Sequence, residues 1–281
     1  MTTAPPPTAL PATTNPAPRP EDIAATIDAR QPATPWHGFW RLSGYTFWKE
    51  LTNPFSLAFA IALPIFMYLM FGAGQDYSDL LVAHGNTAAT VLVNMAIYGA
   101  IMTTSSMGAN VSLERTSGVT RLFALTPLSP AASIVSRVVA SMGISTAVIA
   151  VAYAVGFMTG ASMEWQAWLL SALLIVALSI LPATLGLAAG FAVRTDGAFA
   201  ATSIFTVIGA FGSGMFIPLD SMGEFFRTIA PWTPFSGIVN LGQMPLIGVD
   251  SFSWGWVANY VGWTLLFATV AVVAQRRDTG R

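Results

Sequence analysis

Six long stretches without a charged residue run along the chain, near positions 54–74, 87–112, 138–160, 166–192, 197–217 and 252–275. Each can cross the roughly 30 Å hydrocarbon layer of a bilayer, which takes about 20 helical residues. Lipid offers backbone amides no partners, so crossing segments of this kind are helices. Pro64 and Pro182 fall inside two of the stretches, and each predicts a kink, because proline removes one helical hydrogen bond and crowds the carbonyl four residues earlier. Ahead of the first stretch, Trp36, Phe39, Trp40, Phe47 and Leu51 recur on one side at helical spacing, with Glu50 interrupting the stripe and Arg41 and Lys49 elsewhere. This pattern predicts an amphipathic helix lying in the membrane interface. The expected fold class is an all-α membrane protein, with six transmembrane helices and an N-terminal interfacial amphipathic helix.

Two connections are too elaborate to be simple turns. One runs from Leu113 to Pro130. The other, Pro218 to Ser251, is apolar but broken by Pro231, Pro234 and Pro245. Within it Met222, Phe225, Phe226 and Ile229 take i, i+3, i+4 and i+7 positions, which predicts a short helix with one apolar face. A re-entrant extracellular helical segment between spans five and six is therefore expected. Nine of the 18 prolines lie in the first 35 residues among Thr and Ala, a composition that cannot bury enough apolar surface to order itself. The domain boundaries that follow are 1–35 for a disordered cytoplasmic tail, 36–53 for the interface helix, 54–275 for a six-span domain and 276–281 for a cytoplasmic tail.

Composition sharpens this picture. Hydrophobic residues make up 54% of the 281 positions and charged residues 9%, about a third of the charge a soluble domain carries. The positive charges are also one-sided. With the N-terminus placed inside, only Arg227 of the 12 Lys and Arg residues falls outside, which predicts a multi-pass protein of the cell membrane with both termini cytoplasmic. A net charge of −1 argues against a general nucleic-acid binder. The absence of cysteine excludes a thiolate metal site or a cysteine nucleophile.

Several chemistries fail on the residues. A phosphate-binding loop needs Gly-Lys followed by Ser or Thr, and the sole lysine, Lys49, stands between Trp48 and Glu50. Ser213, in Phe211-Gly212-Ser213-Gly214, has no histidine at membrane depth to activate it. No ionisable residue lies within any of the six stretches, which argues against a proton- or ion-coupled carrier. Gly156-x-x-x-Gly160 and Gly186-x-x-x-Gly190 predict tight helix crossings.

The Leu113–Pro130 connection contains Glu114-Arg115-x-x-Gly118-x-x-Arg121-Leu122, then Pro127-Leu128-Ser129. From the residues alone it reads as a short amphipathic helix, a bend at Pro127 and re-entry into the third span, with Glu114 placed to pair with Arg115, Arg121 or a partner protein. The stretch resembles the signature between the second and third spans of type-2 ATP-binding-cassette (ABC) exporter permeases, the multidrug-resistance-like transmembrane subunits. Ser213-Gly214-Met215-Phe216-Ile217-Pro218-Leu219, then Met222, Ile229 and Thr233-Pro234-Phe235, resembles the same family, except that Gly223 stands where the family usually has proline. The resemblance covers about 36–275.

The resemblance implies a permease subunit that is not itself an enzyme. It would pair with a second permease copy or a homologous permease, and would dock on separate ATPase subunits. No cofactor is then expected on this chain; ATP and Mg belong to the partner ATPase, and membrane lipid surrounds the spans. Carried over position by position, the ATPase-coupling residues are Trp40, Arg41 and Trp48 on the interface helix, with Glu114, Arg115, Gly118, Arg121 and Pro127 on the connection. The implied substrate pathway takes Met67, Met70, Asn94, Tyr98, Met102, Phe205, Phe211 and Met215. No catalytic or metal-binding residue is expected. An uncharged wall of Met and aromatic residues fits a drug, antibiotic or lipid-like amphiphile as cargo. The alternatives are an ABC exporter of lipid-linked glycan, an ATP-independent secondary carrier and a membrane assembly protein.

Overall fold

A computed structural model describes residues 36–119, 128–193 and 197–279, together with Arg19 and Thr34. Apart from those two positions, the expected 1–35 tail lies outside the described residues. Helix α1 (Phe39–Leu51) precedes α2 (Pro54–Phe71), a two-residue hairpin follows (β1, Leu81–Val82; β2, Gly85–Asn86), and α3 (Thr87–Ala109) leads directly into the short α4 (Val111–Thr116). Then come α5 (Pro130–Met158), α6 (Trp165–Leu178), α7 (Ile180–Ala192), α8 (Gly197–Gly212), α9 (Glu224–Ile229), α10 (Ser236–Ile247) and α11 (Trp254–Thr279).

Among the described residues, four helical runs are long and apolar enough to cross a membrane: Thr87–Thr116, Ala131–Met158, Trp165–Ala192 and Trp254–Arg277. They correspond to the second, third, fourth and sixth expected stretches. The other two expected stretches hold α2, 18 residues long, and α8, 16 residues long. Several ends differ from the hydropathy reading for local reasons. Helix α5 starts at Pro130, eight residues before the expected 138, because Ser129 caps it: its Oγ accepts the Ala132 amide at 3.1 Å, and proline follows at the first helical position, where its missing N–H is harmless. Helix α8 stops at Gly212 rather than 217. Gly214 turns left-handed at φ 76°, and the Met215 amide donates back to the Ala210 carbonyl while Gly214 donates to Phe211, a Schellman ending. At its far end α11 runs to Thr279, beyond the expected 275.

Pro182 has the effect its chemistry requires. The fourth run breaks at Ser179, three residues upstream, leaving α6 and α7 as two helices. The break frees carbonyls, and the Tyr260 hydroxyl of α11 donates to one of them, Ala177 O, at 3.2 Å. Pro64, by contrast, lies within an unbroken α2.

Helix α3 is the centre of the molecule, packed by α2, α5, α7, α8 and α10. Its consecutive Thr103, Thr104 and Ser105 hydroxyls donate to carbonyls four residues back, so polar side chains are buried at little cost. The α3–α7 crossing is close because a Cβ on Gly186 would overlap the Ser105 carbonyl and one on Gly190 would lie 2.7 Å from the Gly108 carbonyl oxygen. Gly156 likewise lets Leu92 approach α5. Gly160 departs from the expected crossing role: it has φ 95° and open space around it, and it ends α5.

At one end of the bundle, Asn86 ties three segments together. Its side chain accepts from Ala89 and Ser162 at 2.9 and 3.0 Å and donates to Gly160 O at 2.9 Å. The short helix expected there forms as α9; of its apolar face Met222 and Phe226 are half-buried, Phe225 and Ile229 are exposed, and none is fully buried. The segment that enters the body is α10, whose Gly237, Ile238, Leu241 and Gly242 are buried among α6, α11 and α3.

Candidate functional site

At the end where α3 passes into α4, three helices meet through charge. The Glu114 carboxylate of α4 takes Lys49 Nζ of α1 on Oε1 at 3.2 Å and Arg137 NH2 of α5 on Oε2 at 2.7 Å. Arg137 is the most enclosed, its side chain 7% exposed, against 14% for Glu114 and 48% for Lys49. Next to this trio, Glu50 is buried and accepts from Asn110 Nδ2 at 3.4 Å. Two cations facing one carboxylate in a partly desolvated site stabilise its ionised form. The cluster therefore holds α1 and α4 together against the first turns of α5.

The sequence placed these residues differently. Among the described residues, the partners of Glu114 are Lys49 and Arg137, from two other helices, rather than its neighbour Arg115. Arg115 instead reaches α7, donating to Gly190 O at 3.0 Å and Phe191 O at 2.6 Å. A cation on the carbonyls at a helix C-terminus satisfies orphan acceptors and opposes the helix dipole. Gly118, at φ 80°, ends the short connection helix in the left-handed conformation that glycine adopts without steric cost. Arg121 and Pro127 lie outside the described residues.

The predicted stripe on α1 splits. Phe47 and Leu51 pack inward against α5 and its neighbours, with the Phe47 ring over Gly143, while Leu42, Ser43 and Glu50 complete the buried side. Trp40, Arg41, Tyr45 and Trp48 are exposed on the other side, and Trp36 is exposed just ahead of the helix. The inward arc is thus centred on Glu50, which the hydrophobic pattern treated as an interruption. Lys49, Glu50, Asn110 and Arg137 are functional candidates that sequence reasoning missed. A charged residue inside an apolar stripe was the available signal for Glu50. Nothing local marks Arg137, because its partner is 23 positions away.

A second region lies between α2, one face of α3 and the end of α8. There a cleft of about 790 Å³ opens, a volume within the usual range for small-molecule sites. Leu63, Met67 and Phe71 form one wall, Thr90, Asn94 and Tyr98 another, and Phe211 and Met215 a third. No charged side chain lines it among the described residues. Tyr98 meets Phe216 edge-on at 4.9 Å between ring centres, and Phe216 also contacts Phe211. Five of the eight sequence candidates, Met67, Asn94, Tyr98, Phe211 and Met215, are brought together here. The other three are elsewhere. Met70 is exposed outside the cleft, Met102 packs on the core, and Phe205 sits edge-on to Phe235 and Phe267. Gln243 of α10 was not anticipated; its amide donates to Asn94 Oδ1.

The departure at Gly223 also has a local cause. Its φ of 89° is closed to proline, whose ring fixes φ near −65°, and α9 begins at the next residue.

The model of the ABC-2 type transporter family matches residues 37–245, which include α1, the Glu114 cluster and the cleft. The chain is also similar to a Bacillus subtilis (strain 168) protein described as "Putative transport permease YvfS", at 21% identity over 233 residues, 82% of this chain and 94% of that protein. A family match over about three quarters of the length, on a helical body with four membrane-length helices, identifies this chain as a membrane permease belonging to the ABC-2 type transporter family.

Proposed function

We propose that this permease is the transmembrane subunit of an ATP-driven exporter, working as a pair of permeases on two separate ATPase subunits. In this reading α2 and α8 complete six crossings, α10 is the re-entrant segment of the outer side, and both termini are cytoplasmic. The skew of Lys and Arg along the chain supports that orientation. The uncharged cleft supports a drug-like or lipid-like amphiphile as cargo.

The observation that carries the reading is the Lys49–Glu114–Arg137 cluster. A transporter driven from a partner chain needs a stiff part that passes a push to its membrane helices. Helix α1 and the α4 segment would receive that push, and the charge cluster makes them move with α5 as one body. Trp40, Arg41 and Trp48 stand on the exposed side of α1, available to the ATPase or to lipid headgroups. Such a joint transmits work only through contacts that differ between the two states of the cycle.

The test is Glu114→Gln, which keeps the shape of the side chain and removes its charge. With the partner ATPase co-expressed, ATP-driven transport should fall at least tenfold while the permease and ATPase still copurify. Full transport by the variant would overturn the reading.

A further inference from the structure

The cleft has few polar groups, and their arrangement restricts what it can hold. Asn94 and Tyr98 are four residues apart on α3, so they lie one above the other, separated by a rise of about 6 Å. Gln243, from the helix that enters the body between spans five and six, donates to the Asn94 carbonyl oxygen. Two amides are thus locked together where one would otherwise rotate freely. With its oxygen engaged by Gln243, Asn94 has its amide N–H groups left to meet a ligand, and no other hydrogen bond to its side chain is made among the described residues. Tyr98 adds a hydroxyl on the same face. The opposite wall is apolar, from Leu63, Met67 and Phe211.

We infer that the cleft selects uncharged, largely apolar molecules carrying carbonyl or ether acceptors along one edge, and that Gln243 is the positioning residue that sets this preference through Asn94. A cation would meet no carboxylate to offset its dehydration, and an anion no Lys or Arg, so an ion of either sign enters at a large desolvation cost. A neutral acceptor pairs with the fixed amide and hydroxyl and buries its body on the apolar wall. The amide lock contributes selectivity because it removes a competing orientation before the ligand arrives. This inference rests on the cleft being the cargo site of the proposed exporter.

Two dyes with one ring skeleton provide the test: Nile red, neutral with a carbonyl acceptor, and Nile blue, its cationic counterpart. The full chain in zwitterionic lipid nanodiscs is titrated with each by fluorescence, with empty nanodiscs as the blank. Nile red should bind saturably and at least tenfold more tightly than Nile blue. Gln243→Met, close in length but without an amide, should weaken Nile red at least tenfold while leaving Nile blue unchanged. The swapped pair Asn94→Gln with Gln243→Asn should recover most of the loss, which a merely structural role would not produce. Equal affinity for the two dyes, no saturable binding of Nile red, or Gln243→Met at wild-type affinity would each overturn the inference. ATP-driven transport measured separately distinguishes its failure from failure of the exporter reading.

Discussion

Arg137 and Lys49 approach the same carboxylate from unlike surroundings, and the difference predicts unlike consequences. Arg137 is enclosed by the helix ends, so its loss leaves Glu114 without its nearest counter-charge in a poorly hydrated site. Breaking a buried pair from one side costs about 3 kcal/mol. The Lys49 ammonium remains half in water, where a salt bridge contributes less than about 1 kcal/mol. Arg137→Met should therefore lower the midpoint of thermal unfolding in detergent well below that of Lys49→Met. The reverse order, or equal midpoints, would show that the cluster is not organised around Arg137. Glu50 illustrates why a polar residue in an apolar stripe can be mistaken for a defect. It interrupts a stripe of aromatic and aliphatic residues, but its partner Asn110 is 60 positions away.

Among the elements, α7 depends most on the absence of side chains. Gly186 and Gly190 bring its backbone against α3, and the obstruction a larger residue would meet is main chain, which cannot swing aside. Gly186→Val should cost about 3 kcal/mol through overpacking or prevent the chain from accumulating folded. Size-exclusion profile and thermal midpoint report it, and a variant as stable as the parent would rule out the close α3–α7 crossing. That crossing was legible in the spacing of the two glycines. So were the long apolar runs and the disturbance around Pro182. The ends of α5 and α8 were not read from hydropathy, because single residues set them: Ser129 as a cap, and Gly214 as a left-handed turn inside an otherwise apolar segment. The short helix predicted around 222–229 is present as α9, but the packed segment that follows it, α10, was not read. The i, i+3, i+4 pattern marked the exposed α9, whereas α10 is buried by contacts with three helices that no short window contains.

At the scale of the molecule, a charged cluster at one end and an uncharged cleft along the central helix give the permease two unlike regions joined by α3. Helix α3 lines the cleft with Thr90, Asn94 and Tyr98, and through Asn110 it leads into α4 and Glu114. A rigid-body displacement at Glu114 would therefore be felt at the cleft walls without any intervening change of secondary structure. Much of the cleft was foreshadowed by residues of the second and fifth stretches. Its polar selector was not, since Gln243 and Asn94 are 149 positions apart. The central claim is that energy enters through a partner ATPase at the Glu114 end. Inverted membrane vesicles containing the permease and its co-expressed ATPase, incubated with external Nile red and treated with ionophores to abolish ion gradients, test it most directly. The account predicts dye accumulation that requires ATP and persists without any gradient. Accumulation that follows an ion gradient and proceeds equally without ATP would contradict it.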